Sequence, residues 1–186
     1  MDAPAHAPDP DAEAERLRRA RRGDGAAFEA LYHDHARAVH ALAFRLTGNA
    51  AEAEDIVQET FLRMFGFLSG LRENTPLRPW LKRVAANLAI DRLRRQQHPG
   101  TDMALAALAA TPSASPADAA DADTLLRRLP PLARTVVWLH EMEGWSHEDL
   151  GRRFGRTASW SKSLMSRSLA RLRQDLDPHG DAPHDA

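Results

Sequence analysis

The sequence predicts an all-α protein of two small helical modules joined by a flexible linker, and three observations predict it. The chain has one Tyr and few Val or Ile against abundant Ala, Leu, Arg and Glu, which favours helix over sheet. No segment alternates apolar and polar residues as a half-buried strand does. The run PGTDMALAALAATPSASPADAADAD is rich in Ala, Pro, Ser and Asp and has little to bury, so residues 98–123 are expected to be the linker. At 186 residues there is room for a module on each side of it, since domains run from about 50 residues upward.

The elements follow in order from local punctuation. Residues 1–11 form an expected disordered lead. Helices are expected over Ala12–Arg22, Gly25–Leu46, Ala50–Leu68 and Arg78–Gln96, packing as one bundle over residues 12–97. Inside the linker, only Met103–Ala109 has the residues for a short apolar helix. The second module, residues 124–176, is expected to hold helices at Thr124–Leu129, Pro131–Glu143, Ser146–Phe154 and Ala158–Leu176, with a polar tail at 177–186. Pro131 suits a first helical position, Gly144 a C-terminal cap, and Ser146 with Asp149 a capping box. Gly155-Arg156-Thr157 then makes a tight turn with Thr157 as the next cap, so the last two helices spell helix-turn-helix.

Composition excludes several functions. With no cysteine, disulfides, thiolate metal sites and cysteine nucleophiles are absent. No run approaches the roughly 18–20 apolar residues of a membrane span, and the acidic, proline-rich start MDAPAHAPDPDAEAE is unlike a signal peptide, so a cytoplasmic protein is expected. His33 and His35 lie two apart, unsuited to chelation from one helix face, and the nine histidines are expected at the surface. Phosphate-loop, dinucleotide and nucleophile-elbow motifs are missing, so no catalytic residue, metal or cofactor is expected.

Charge is informative only locally. The net charge is −1, yet Leu150–Gln174 carries Arg152, Arg153, Arg156, Lys162, Arg167, Arg171 and Arg173 with no acid. Such a stripe suits a polyanion. Within TASWSKSLMSRSLARLR (157–173), Ala158, Met165, Leu169 and Leu172 fall on one narrow apolar face at about 100° per residue. Two residues break the pattern: Trp160 projects from the polar side, and Ser161 sits at the apolar edge.

The first module carries two further patterns. In AEDIVQETFLRMFGFL (53–68), Ile56, Val57, Phe61, Met64, Phe65 and Leu68 share a core face, while Asp55, Gln58, Glu59 and Leu62 gather opposite. A leucine among acids is either one exposed apolar residue on a solvated face or the anchor of a docking surface for a basic partner helix. In RPWLKRVAANLAIDRLRR (78–95), Arg83, Asn87, Asp91 and Arg94 form a ridge beside an expected buried set of Trp80, Val84 and Leu88. That ridge is either a salt-bridged structural face or, with the preceding loop SGLRENTPLRP, a surface for single-stranded nucleic acid.

With these residues in view, the chain resembles the extracytoplasmic-function sigma factors, the small class of bacterial RNA polymerase specificity subunits. AEAEDIVQETFLRMF resembles the family's region 2 docking helix, PWLKRVAANLAIDRLRR its promoter-melting helix, and LPPLARTVVWLHEMEGWSHEDLGRRFGRTASWSKSLMSRSLARLR its region 4. The resemblance implies a factor that performs no chemistry, with core RNA polymerase (clamp coiled coil of the largest subunit, and flap), promoter DNA and an anti-sigma factor as partners. It places Asp55, Gln58, Glu59 and Leu62 against the clamp. Arg83, Asn87, Arg92 and Arg94, with the loop from Ser69 to Arg78 including Leu77, would hold the opened −10 strand. Arg156, Thr157, Ser159, Trp160, Lys162, Ser163, Ser166 and Arg167 would meet the −35 duplex, Arg167 reading a guanine.

Here Trp160 either meets a thymine methyl or sugar, or packs under the preceding helix. The chain departs from the family at Ser161, usually a β-branched apolar residue, and at Leu164, often Arg. The Ser161 hydroxyl is expected to bond a carbonyl one turn back, so that Ser161→Val stabilises the module without altering −35 choice. Two other readings compete: a free-standing helix-turn-helix regulator that binds duplex operators as a dimer, with residues 24–97 as a dimerisation or sensor bundle, and a helical adaptor that binds only proteins.

Overall fold

A computed structural model describes residues 10–71, 75–96 and 122–176. The expected lead, linker with its short helix, and tail lie outside these residues, apart from positions at their edges. The described elements are helices α1 (Pro10–Arg21), α2 (Gly25–Thr47), α3 (Ala50–Phe67), α4 (Leu77–Gln96), α5 (Ala122–Arg127), α6 (Pro131–Glu141), α7 (His147–Phe154) and α8 (Ala158–Leu176), with one 3₁₀ turn at Leu68–Gly70. No strand occurs among the described residues.

Local chemistry explains the boundaries. α1 starts at Pro10, ahead of the expected Ala12, because proline is pre-set for a first helical position and Asp11 and Glu13 favour the positive end of the helix. Asp24 Oδ1 accepts the Ala27 N–H (3.1 Å) at the start of α2. Asn49 caps α3 by accepting the Glu52 N–H (3.2 Å).

The chain divides into two compact units, one of residues up to Phe44 with Asn49–Leu88, the other of Arg45–Gly48 with the chain from Ala89 onward. In the first unit Leu17 of α1, Leu31 of α2, Ile56 and Met64 of α3 and Leu81 of α4 are buried. Each such side chain stabilises the unit by about 1.5–3 kcal/mol relative to exposure. In the second unit Leu139, Leu150, Leu164 and Met165 do the same for α6, α7 and α8.

One histidine corrects the surface expectation. His33 is exposed, but His35 is buried in the first unit, where its Nε2 meets Glu13 Oε2 at 2.9 Å without the angle of a good hydrogen bond. Burial pushes the His35 imidazole below its usual range, and the Glu13 carboxylate opposes that shift.

Candidate functional site

Three surfaces carry the residues singled out by sequence. On α3, Asp55, Gln58 and Leu62 are exposed and Glu59 is half-exposed, with Leu62 at 66%. Glu59 pairs with Arg63 one turn on (3.0 Å), an exposed bond worth about 0.3–0.5 kcal/mol. Phe65, expected in the core, is instead 65% exposed. It is turned to α2, where Phe28 meets it edge-on at 5.5 Å. Tyr32 leans on Phe61 at 4.7 Å, and these rings with Gln58 and Leu62 line an open groove of about 420 Å³. The α2 half of this groove was missed from sequence, although Phe28 and Tyr32 are spaced one helical turn apart.

On α4, Arg83 and Arg94 are exposed and Asn87 and Arg92 half-buried. Asn87 Oδ1 makes no hydrogen bond among the described residues. Leu77 does not join this surface: its side chain is buried at 1% exposure. Trp80 and Val84, expected in the core, are only half-buried, and the Trp80 ring lies parallel to the exposed Phe67 at 6.2 Å.

The third surface is α8, set by its junction with α7. Ser146 Oγ accepts the Asp149 N–H (3.0 Å) and donates to its carboxylate (2.9 Å), so Ser146 caps α7, but the carboxylate meets the Ser146 hydroxyl and not, as a full capping box requires, its backbone N–H. Gly155 closes α7 in the left-handed region, and Thr157 Oγ1 accepts the Trp160 N–H (3.1 Å) to open α8. Gly151 lets the two helices approach, for a Cβ there would fall 2.6 Å from the Thr157 carbonyl carbon. Arg156, Thr157, Ser159, Lys162, Ser163, Ser166 and Arg167 are all exposed on the resulting outer face.

The two odd residues of α8 resolve differently. Trp160 is half-buried with its ring tilted against Phe154 at 5.4 Å, so part of it packs and part faces outward. Ser161 is wholly buried, and its hydroxyl meets His147 Nδ1 of α7 at 3.1 Å rather than a carbonyl one turn back. The back-bond belongs to Ser168, which donates to the Leu164 carbonyl at 2.7 Å. Leu164 is also fully buried, so its departure from the family lies in the core and offers nothing to a ligand.

His147 in turn stacks on His140 of α6, ring centroids 4.1 Å apart, while His140 Nδ1 contacts the Trp145 carbonyl oxygen at 2.7 Å. Burial, then the neighbouring His140 and Lys162, hold the His147 imidazole below its usual range, with Glu141 opposing.

Residues 31–98 match Sigma-70 region 2 and residues 120–172 match Sigma-70 region 4. The sigma factor CarQ of Myxococcus xanthus is 35% identical over 170 residues, covering 86% of this chain and 95% of that protein. The chain belongs to the extracytoplasmic-function RNA polymerase sigma factors.

Another relative, the sigma factor SigE of Mycolicibacterium smegmatis, is 32% identical over 169 residues, with 84% of this chain and 65% of that protein covered. The solved structure of CnrH in complex with the cytosolic domain of CnrY shares the fold at a TM-score of 0.51 and 23% identity, over 91% of this chain and 100% of that one. As a sigma factor the protein binds core RNA polymerase and promoter DNA and directs promoter-specific initiation. A free-standing regulator or adaptor is not favoured, because the α3 and α4 surfaces fall inside the region 2 match and the α8 surface inside the region 4 match. No helix among the described residues is long and apolar enough to cross a membrane.

Proposed function

We propose that the three surfaces divide the work of initiation without any chemistry by the sigma factor itself. The α3 face docks on the clamp coiled coil of the polymerase largest subunit: Leu62 is the anchor, Asp55, Gln58 and Glu59 the polar rim, and the Phe28–Phe65 groove extends the apolar floor. Arg83, Asn87, Arg92 and Arg94 hold the melted −10 strand, while Leu77, being buried, contributes only through the position of its backbone. Arg156, Thr157, Ser159, Lys162, Ser163, Ser166 and Arg167, with the outer part of Trp160, approach the −35 duplex, and the second module also rests on the polymerase flap.

Covalent joining of the modules makes the second contact effectively intramolecular, so neither need be strong alone. The setting is the cytoplasm, and an anti-sigma factor acts as antagonist, in line with CnrH being held by the cytosolic domain of CnrY.

The observation that carries this reading is Leu62, largely exposed amid acids on a helix whose other face is core. A pull-down with core polymerase, followed by run-off transcription on a promoter library, tests it. Leu62→Asp or Asp55→Arg is expected to lose core binding and all transcripts with helicity intact, and normal core binding by both variants would sink the docking assignment.

A further inference from the structure

The region 2 match begins at residue 31 and leaves α1 without an assigned role. Yet α1 reaches both ends of the α3–α4 connection. Near its C-terminus, Arg21 Nε donates to the Leu68 carbonyl (3.0 Å) and Nη2 donates to the Leu71 carbonyl, gripping the 3₁₀ turn that follows α3. Near its N-terminus, Glu13 Oε1 accepts the backbone N–H of Leu77, the first residue of α4 (3.3 Å). The other oxygen of the same carboxylate lies 2.9 Å from Nε2 of buried His35 of α2. Leu68, Leu71 and Leu77 are themselves buried, so each gripped backbone group is already seated.

These contacts are directional, as apolar packing is not. A guanidinium bridging two carbonyls and a carboxylate accepting a helix N-terminal N–H are charge-assisted bonds with defined directions. They fix the place where α4 starts, and thereby where Arg83 and Asn87 sit along the strand they hold.

We infer that α1 is a positioning brace for −10 strand reading: Arg21 and Glu13 hold the end of α3 and the start of α4 in register, touching neither DNA nor polymerase. The inference rests on the proposed assignment of α4 to the −10 strand.

The test uses the full chain assembled with core polymerase, and a promoter recovered from run-off selection, presented closed and with a pre-melted −10 bubble. Arg21→Ala and Glu13→Ala are expected to bind core as the parent does and to lose about tenfold in affinity for the bubble, about 1.4 kcal/mol. Glu13→Gln keeps an acceptor for the Leu77 N–H and is expected to restore binding, whereas Arg21→Lys, with one donor head in place of a fork, restores it only in part. Equal losses of core and bubble binding in the alanine variants, with no rescue by Glu13→Gln, would make α1 a mere part of the bundle and overturn the brace. Unchanged bubble affinity in those variants, with Asn87→Ala weakened, would overturn the brace and leave strand reading standing. Unchanged affinity in Asn87→Ala and Arg83→Ala would remove the strand-reading assignment and the brace with it.

Discussion

α3 and α8 are both amphipathic helices with one face buried and one turned outward, and the outward faces differ in kind. That of α3 sets a large apolar side chain among acids, with aromatic rings from α2 extending it. That of α8 carries hydroxyls, Lys162 and Arg167 with no acid from Ala158 to Gln174. The first face gains by covering Leu62 and meeting positive charge, as a protein helix does. The second, on the proposed −35 assignment, gains by neutralising phosphates and reading base edges. On the proposed assignment, one chain separates its two partners by the chemistry of two helices, and each face is open to substitution without touching the other.

The largest effect is expected at Leu62. Replacing it with Asp should weaken core binding by about 30-fold or more, the size of a hot-spot loss of 2 kcal/mol or above, with −35 duplex affinity of the second module unchanged. Arg167→Ala attacks the other face. A competition assay over single-base-pair promoter variants should show about 1–3 kcal/mol of discrimination lost at one position and core binding retained. Uniform weakening over all variants would instead make Arg167 a phosphate contact.

Smaller effects sharpen how α8 is held. Ser161→Val, expected from sequence to stabilise, now carries the opposite sign. It leaves His147 Nδ1 without the Ser161 hydroxyl, and thermal melting should register a loss of about 1 kcal/mol. A rise in melting temperature would mean that the buried pair contributes nothing.

The pH response of the second unit follows from the same histidine. His147 is depressed in the folded unit, so the unfolded chain takes up its proton first, near the ordinary value of 6.5. Stability should be full above about pH 6.5 and decline as pH falls below it. Denaturant titrations across that range should show the decline in the parent and its absence in His147→Gln.

What could be read from sequence was what is local. Caps such as Ser146 and Thr157, the glycine turns and the polar face of α8 depend on neighbours within a turn or two, and the helices followed from them. What escaped depends on which helix packs on which. Phe65 keeps a helical period with the core residues of α3, yet its ring lies against Phe28 of α2 at the edge of a groove. His35 looked like its exposed neighbour His33 until Glu13 of α1 is placed beside it. Ser161 finds its partner 14 residues away on another helix, beyond the reach of periodicity.

Gly151 has a consequence for how such a reader can change. The separation of α7 and α8 is set there by the absence of one methyl group, since the Thr157 carbonyl occupies the space a Cβ needs. Any side chain at that point must pry the helices apart, tilting α8 relative to a major groove about 12 Å wide and shifting every outward residue together. On the proposed −35 assignment, substitutions at Ser159, Ser163 or Arg167 edit single letters of the message, whereas a substitution at Gly151 turns the whole page.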